Sequence, residues 1–556
     1  MKIINITAAG ILALFTSAAA AQTYSTEQQK SWLEKAEQCK PRLDTTIYHP
    51  VAIVDIIKDD KAFQGYKAVK ISDTDDIYSK SFKQMNEVTL DFGRHLVGQV
   101  SFKLKDLGSM QDAILRFKVT FGEVPADLAL PREPFTGSLS RGWLQDFFCD
   151  VGYDGSFTFS RRISARYMKI EAVGTSQYSN FCFDDITFKA TTSATPSKAR
   201  LAATTPRIFR EIAKVSENTL RDCMQGVFED GPKRDQRLWL GDFYLQALAN
   251  TATFNDYDLT KRCLYLAAGL ANQNNGLLYS NLVEYPSPHA QKSFFIDYAL
   301  LYVPTLADYL DATNDTTTAN DLWLVAKRQV DAVIDNALNA DWLYDDTGYQ
   351  FDGMAMSTVF FDWSPVKLDT HAAIQGCLAY SVERLCLMGR KLGKDDEASR
   401  YETILRRLRR AGRDAYWNEK ELRITSGPDR QASYSATAWA IIGGIIKGNK
   451  ARQAINAVMA DKSAIKPGTP YATHFVVTAM LKCGMNDEAR SYVDYYWGGM
   501  VRLGADTFWE YYVPDNHMFS AYNGYTLLNS YCHAWSCTPV YFIVKYPEVF
   551  QYHQTR

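Results

Sequence analysis

The period of hydrophobicity changes once along the chain, near residue 200, and that change limits the folds open to it. From about Val51 to Ala190, apolar and polar residues alternate in short runs punctuated by Gly, Pro and Asp. Val88–Phe92, Gln99–Leu104, Ser156–Phe159 and Tyr167–Val173 are examples. Period-two runs of this length predict an antiparallel β-sandwich, jelly-roll-like, with one buried and one wet face. From Arg207 onward the spacing is helical. Leu322, Val325, Ala326, Val330, Val333, Ile334 and Leu338 fall on one face, whereas Ala373–Leu387 and Ala436–Ile446 are apolar all round, as inner helices would be. About 350 residues at roughly 25–30 per helix and loop make about a dozen helices. No short repeat signature of an open solenoid is present, so a closed (α/α)6 barrel is expected. The Thr-, Ser-, Ala- and Pro-containing stretch 190–206 reads as the linker. The expected division is a leader at 1–21, an N-terminal region with a β-sandwich at 22–195, and a helical barrel at 205–556.

The first residues carry their own signal. Lys2 precedes the apolar run Ile3–Phe15, and Ser17–Ala21 offers small residues for cleavage. This is the pattern of a secretory signal peptide cut near Ala20 or Ala21, so a periplasmic or secreted protein is expected. No later stretch reaches ~18 uninterrupted apolar residues, and no membrane insertion is expected. Formal net charge is −2 with no Lys/Arg block, which argues against a nucleic-acid or anionic-membrane partner. Ten cysteines in an oxidising compartment invite disulfides. Yet Cys223, Cys263, Cys377, Cys386 and Cys483 sit inside helical apolar patterns, where a thiol serves as a small hydrophobe. Cys532 and Cys537 are close enough to pair but read as lying on one helix, where bridge geometry would be poor.

Chemistry concentrates in three segments. Glu229–Asp242 gathers carboxylates, two arginines and Trp239 around a Gly231-Pro232 turn. A solvated charged loop would explain the charges but not the interleaved Leu238, Trp239 and Leu240. Crowded carboxylates beside an aromatic suit an acid that must stay protonated near neutral pH. In Asp506–Tyr512, Glu510 stands between bulky aromatics, where it is either a cap or a working carboxylate. In Asn529–Ser536, His533 lies among small and aromatic residues, and a core histidine is the plainer reading. Thirteen per cent aromatic residues fit either a ring-rich core or sugar binding. No HExxH, P-loop, dinucleotide fingerprint or zinc-spaced Cys pair occurs, and no cofactor or metal is expected.

Taken together these segments resemble the bacterial α-L-rhamnosidases of glycoside hydrolase family 78. Asp91-Phe92-Gly93-Arg94-His95-Leu96-Val97-Gly98 and Ala165–Ile170 resemble strands of the family's accessory domain. Asp230-Gly231-Pro232 through Gly241-Asp242 resembles its acidic loop, and Thr469-Pro470-Tyr471, Phe508-Trp509-Glu510 and Cys532–Ser536 follow in order. The resemblance implies an exo-acting, inverting hydrolase of terminal α-L-rhamnose on plant-type glycans. It implies Asp235 as general acid and Glu510 as general base. Asp230, Asp242, Arg234 and His533 would hold sugar hydroxyls, Trp239 and Trp509 would form apolar walls, and Asp297, Asp362 and Trp363 would complete the pocket. The chain departs from the pattern in three places. Its acid is Asp rather than Glu, and Gln236 stands where some members carry that Glu. Gly231 stands where Cys is common. The chain also stops soon after its last helix, where a further β-sandwich is usual.

Three other readings compete: another exo-glycosidase on the same scaffold, a polysaccharide lyase using Tyr511, Tyr512 or His474, and a non-catalytic sugar-binding protein.

Overall fold

The computed structural model describes residues 23–110, 113–152, 155–345, 347, 350–351, 354–355 and 359–552. The expected leader at 1–21 lies outside the described residues.

The alternating region forms nine antiparallel strands in one hydrogen-bonded network. Its spine is Glu87–Asp106, a twenty-residue strand that joins two runs read separately in the sequence. The join is a bulge. The register against Ile163–Gly174 jumps between Asp91 and Leu96, and Gly93 absorbs the jump at φ +78°, a backbone angle that glycine adopts without strain. Beyond the bulge the strand pairs with Phe181–Thr192. Ring contacts among Phe102, Phe117, Phe159 and Phe183 fill the core between these strands.

The helical region closes on itself. The inner helices Leu240–Ala252, Ile296–Thr313, His371–Lys391, Tyr434–Ile442, Pro470–Lys482 and Pro539–Lys545 each pack on the next, and the last returns to the first. Their outer partners are Arg207–Cys223, Tyr257–Gly269, Trp323–Asn336, Asp395–Tyr416, Gly448–Ala460 and Asn486–Arg502, so six hairpins are present among the described residues. Sequence sorts the two rings. Every residue of Tyr434–Ile442 is buried, whereas Asp395–Tyr416 buries one stripe that includes Ala398, Tyr401, Leu405, Leu408, Gly412 and Tyr416.

Two segments sit elsewhere than their sequence position suggests. Thr26–Gln38 precedes the strands but packs on the outer helix Tyr257–Gly269 of the barrel. Gln29, Trp32 and Ala36, spaced along one face, are buried there, and Arg262 Nη1 donates to Ala36 O at 2.7 Å. The linker is laid onto the barrel: Ser193 N bonds Met224 O at 2.8 Å and Lys198 N bonds Thr253 O at 2.7 Å. Among the described residues no helix is long and apolar enough to cross a membrane.

Candidate active site

The acidic segment is a loop between Arg207–Cys223 and Leu240–Ala252, held by its own backbone. Asp230 N donates to Arg237 O at 2.9 Å and Gln236 N to Gly231 O at 3.1 Å. Asp230 Oδ1 accepts from Arg237 N at 3.0 Å. Gly231 is fixed by space, since a Cβ there would lie 2.6 Å from Arg234 O and 2.8 Å from Ser530 Oγ. That accounts for glycine at this position. Gln236 turns its amide back onto Pro232 O at 2.7 Å and does not line the site. Lys233 Nζ reaches Asn529 O at 3.0 Å, and Arg234 Nε reaches Leu528 O at 3.2 Å. The acidic loop is thereby bolted to the segment that carries Glu510 and His533.

These loops enclose a cavity of about 440 Å³. Eight of the residues singled out in the sequence line it: Asp230, Arg234, Asp235, Trp239, Asp242, Trp363, Glu510 and His533. Arg234 spans the two carboxylates assigned to catalysis. Its Nη2 donates to Glu510 Oε1 at 2.6 Å and its Nη1 to Asp235 Oδ1 at 3.2 Å. Glu510 also accepts from the Tyr522 hydroxyl at 2.6 Å and Ser530 N at 2.9 Å. Burial alone would raise its carboxyl, but the charges of Arg234 and His533 with these donors hold it below the usual range. Asp230 moves the other way. Burial, with the neighbouring charge of Asp235, carries it to about 7. For His533, burial works against the charged form, yet the hydrogen bond to Asp242 Oδ1 at 3.2 Å and the surrounding carboxylates raise it above its ordinary value. The floor thus combines an ionised carboxylate, a carboxyl that titrates near neutrality and a histidine whose charged form the neighbouring carboxylates favour.

Three expected positions fall outside the cavity. Trp509 is not a wall: its ring is buried and stacks on Phe63 at 3.8 Å. Asp297 sits behind the site, where its two oxygens accept from Phe360 N and Phe361 N, both at 3.0 Å. It aims Phe360 at the cavity rather than touching it. Asp362 accepts from Gly468 N at 2.7 Å and Thr469 Oγ1 at 2.6 Å and opens onto a separate depression. The 529–536 segment is no helix either. It runs as irregular chain that ends in one short 3₁₀ turn, Ala534–Ser536, because Ala534 N is taken by Asp230 O at 2.8 Å and His533 N by Phe508 O at 2.9 Å. Cys532 and Cys537 are both free.

The structure adds walls the sequence did not single out. Trp535 packs on His533 at 4.4 Å and stacks on Phe360 at 5.7 Å, while Phe295 stacks on Trp239 at 6.1 Å. Tyr298 and Arg237 also face in. Ser138, Leu139, Ser140 and Trp143 come from the strand-rich region. Arg161 holds that loop by donating to Gly142 O at 2.6 Å and Trp143 O at 2.9 Å. Trp535 lay in the quoted motif beside His533 and could have been found there. The Ser138–Trp143 loop had no local signal.

A six-hairpin barrel whose loops gather opposed carboxylates, an arginine and aromatic walls in one cavity is the architecture of a glycoside hydrolase. Sequence comparison makes this specific. The bacterial α-L-rhamnosidase six-hairpin glycosidase domain matches residues 200–546, and the family 78 α-rhamnosidase N-terminal domain matches 50–190. The chain therefore belongs to the bacterial α-L-rhamnosidases of glycoside hydrolase family 78, enzymes that hydrolyse rhamnosides. Among solved structures, a rhamnosidase from Klebsiella oxytoca with rhamnose bound is 36% identical, with a TM-score of 0.88 over 93% of this chain and 99% of that one. The family 78 rhamnosidase of Bacillus sp. GL1 is 21% identical at a TM-score of 0.68, covering 82% of this chain and 46% of that one. A Streptomyces avermitilis α-L-rhamnosidase complexed with L-rhamnose is 15% identical at 0.61, over 91% and 44%. No curated protein matches the chain in sequence.

Proposed function

We propose that the enzyme is exported, acts on terminal α-L-rhamnose and inverts configuration, with Asp235 as general acid and Glu510 as general base. The carrying observation is Arg234, which holds one carboxylate with each terminal nitrogen. Held by different nitrogens of one cation, the two carboxylates are separate groups facing one cavity, as an acid and a base with distinct roles require. An inverting pair keeps ~6.5–9.5 Å between them for the intervening water. Glu510, buried and ionised, suits activation of that water. Asp242 and His533 offer an acceptor and a donor to sugar hydroxyls, while Trp239, Trp535 and Phe360 suit the apolar faces and the methyl group of a 6-deoxy sugar. A cavity of about 440 Å³ supports binding of one glycan end rather than passage of a chain. Export rests on the Met1–Ala21 pattern, and cell fractionation tests it.

Proton NMR of the first minutes of hydrolysis of an α-L-rhamnoside tests the mechanism. Early β-rhamnose supports it. Early α-rhamnose would require a retaining pair instead.

One observation favours a second proton source. Asp235 is paired with Arg234 at 3.2 Å and Arg237 at 3.4 Å, whereas Asp230 titrates near neutrality. Under this reading Asp230 is the acid and Asp235 orients Arg234. Asp235→Asn and Asp230→Asn, compared on an alkyl and an activated aryl rhamnoside, separate the two. Loss of the true acid spares the aryl substrate, whose leaving group needs little protonation.

A further inference from the structure

Behind the sugar pocket, where the strand-rich region meets the barrel, His95, Asp222 and Cys532 are all buried, and their ligand-type atoms lie within 4.8 Å of one another. His95 lies within the bulge of Glu87–Asp106, and Asp222 comes from the end of Arg207–Cys223. Cys532 directly precedes His533. Cys223 is also buried, with its Sγ 3.9 Å from that of Cys532. We propose that His95, Asp222 and Cys532 form a buried zinc site.

The donor set is the argument. Thiolate, imidazole and carboxylate together select zinc over the harder calcium and magnesium. Cys532 Sγ at ~2.3 Å and a nitrogen or oxygen at ~2.0–2.2 Å would lie about 3.6 Å apart on a tetrahedral ion, and the three ligand atoms here lie within 4.8 Å of one another. Zn–N and Zn–O bonds of ~2.0–2.2 Å put an imidazole nitrogen and a carboxylate oxygen about 3.3 Å apart. His95 Nδ1 and Asp222 Oδ2 lie 2.9 Å apart, so a small outward shift admits the ion. The outer contacts match as well. A zinc-bound histidine characteristically gives its other N–H to a carboxylate, and His95 Nε2 faces Glu123 Oε1 at 3.2 Å. Asp222 is oriented through its free oxygen by Arg221 Nε at 3.0 Å. Binding would release the Cys532 thiol proton and the proton between His95 and Asp222, while His95 keeps the proton on Nε2. The ion would tie three segments together: a strand of the accessory region, the first barrel helix, and the stretch that delivers His533 to the sugar. No spacing motif announces these ligands, because they lie far apart in the chain.

The test uses the full mature chain, purified without chelator, loaded with zinc and desalted, with metal measured by plasma mass spectrometry. The expected result is about one zinc per chain, lost in Cys532→Ala and in His95→Asn. Because a variant could fail to fold, cobalt(II) is also titrated into the apo wild-type chain. A thiolate-to-cobalt charge-transfer band that saturates at one equivalent supports the site. Absence of stoichiometric zinc together with absence of that band overturns it. So does zinc retained in folded Cys532→Ala, or a Cys223–Cys532 disulfide found by mass spectrometry of the alkylated native protein.

Discussion

Glu510 and Asp235 share one guanidinium yet differ in how they are held. Glu510 accepts three short hydrogen bonds, from Arg234, Tyr522 and Ser530 N, at 2.6 to 2.9 Å. Asp235 receives its two arginines at 3.2 and 3.4 Å, longer than the ~2.7–2.9 Å of a tight charge-assisted pair. A carboxylate fixed from three sides is built to stay charged. Glu510→Gln should therefore cost ~10²–10⁴ in kcat on every rhamnoside, because water activation is needed whatever the leaving group. Asp235→Asn should cost as much on an alkyl rhamnoside and far less on a nitrophenyl rhamnoside. Steady-state kinetics on the two substrates reads both outcomes. The pH profile belongs to the same scale. An acid must be protonated to work, so activity is present below its pKa and is lost as pH rises through it. With Asp230 at about 7, the alkaline limb of kcat/KM should fall near neutrality if Asp230 sets it, and Asp230→Asn should then abolish that limb. Most of the polar floor was legible from the sequence because it clusters in motifs. Trp509 was misassigned because adjacent aromatics look alike in a sequence, and only packing on Phe63 separates it from Trp535.

Elements carry the site by their ends. Asp297 is the second residue of Ile296–Thr313, and through two backbone amides it aims Phe360. Asp362 does related work for the N-terminus of Pro470–Lys482. Thr469 is the cap of that helix, accepting from Ala472 N at 3.2 Å while donating to Asp362 Oδ1 at 2.6 Å. Thr469→Ala removes the cap and strips a buried carboxyl, itself raised to about 7 by burial, of a donor. The expected cost is about 1–2 kcal/mol, read as a lower midpoint in urea unfolding with an unchanged slope. These aspartates were drawn toward the substrate in the sequence reading for a physical reason. A buried Asp near an active loop looks the same whether it holds sugar or backbone, and only the direction of its oxygens decides. Helix period and polarity, by contrast, were enough to sort inner from outer helices. Nothing local in Thr26–Gln38 told it to pack on the barrel rather than on the strands that follow it.

At the scale of the molecule, the ring must close between its last and first hairpins, and His474 sits at that closure. Its ring stacks on Phe542 at 4.9 Å, joining Pro470–Lys482 to the final inner helix Pro539–Lys545. Thr478 Oγ1 is 3.4 Å from His474 Nε2, and Nδ1 has no partner. With no carboxylate beside it, burial alone lowers its pKa to about 3, so the imidazole is neutral in the folded chain. A neutral histidine packed in this way has no part in β-elimination at the cavity, which it does not line. Neither do Tyr511 and Tyr512, so the lyase reading loses its bases. The linkage sign follows from the lowered value. Between about pH 6.5 and pH 3 the unfolded chain binds a proton at His474 that the folded chain does not, so stability is fully present above about 6.5 and falls as pH drops. Replacing His474 by Gln keeps a polar group within reach of Thr478 and removes the titration. His474→Gln should therefore unfold near the wild-type temperature at pH 7.5 and lose less stability between pH 6.5 and pH 4. Thermal melts across that range decide the matter. Parallel curves for variant and wild type would mean that the acid limb is set by other groups, among them the buried Glu123 and Glu510, whose carboxyls are held low and so also favour the folded state only while ionised.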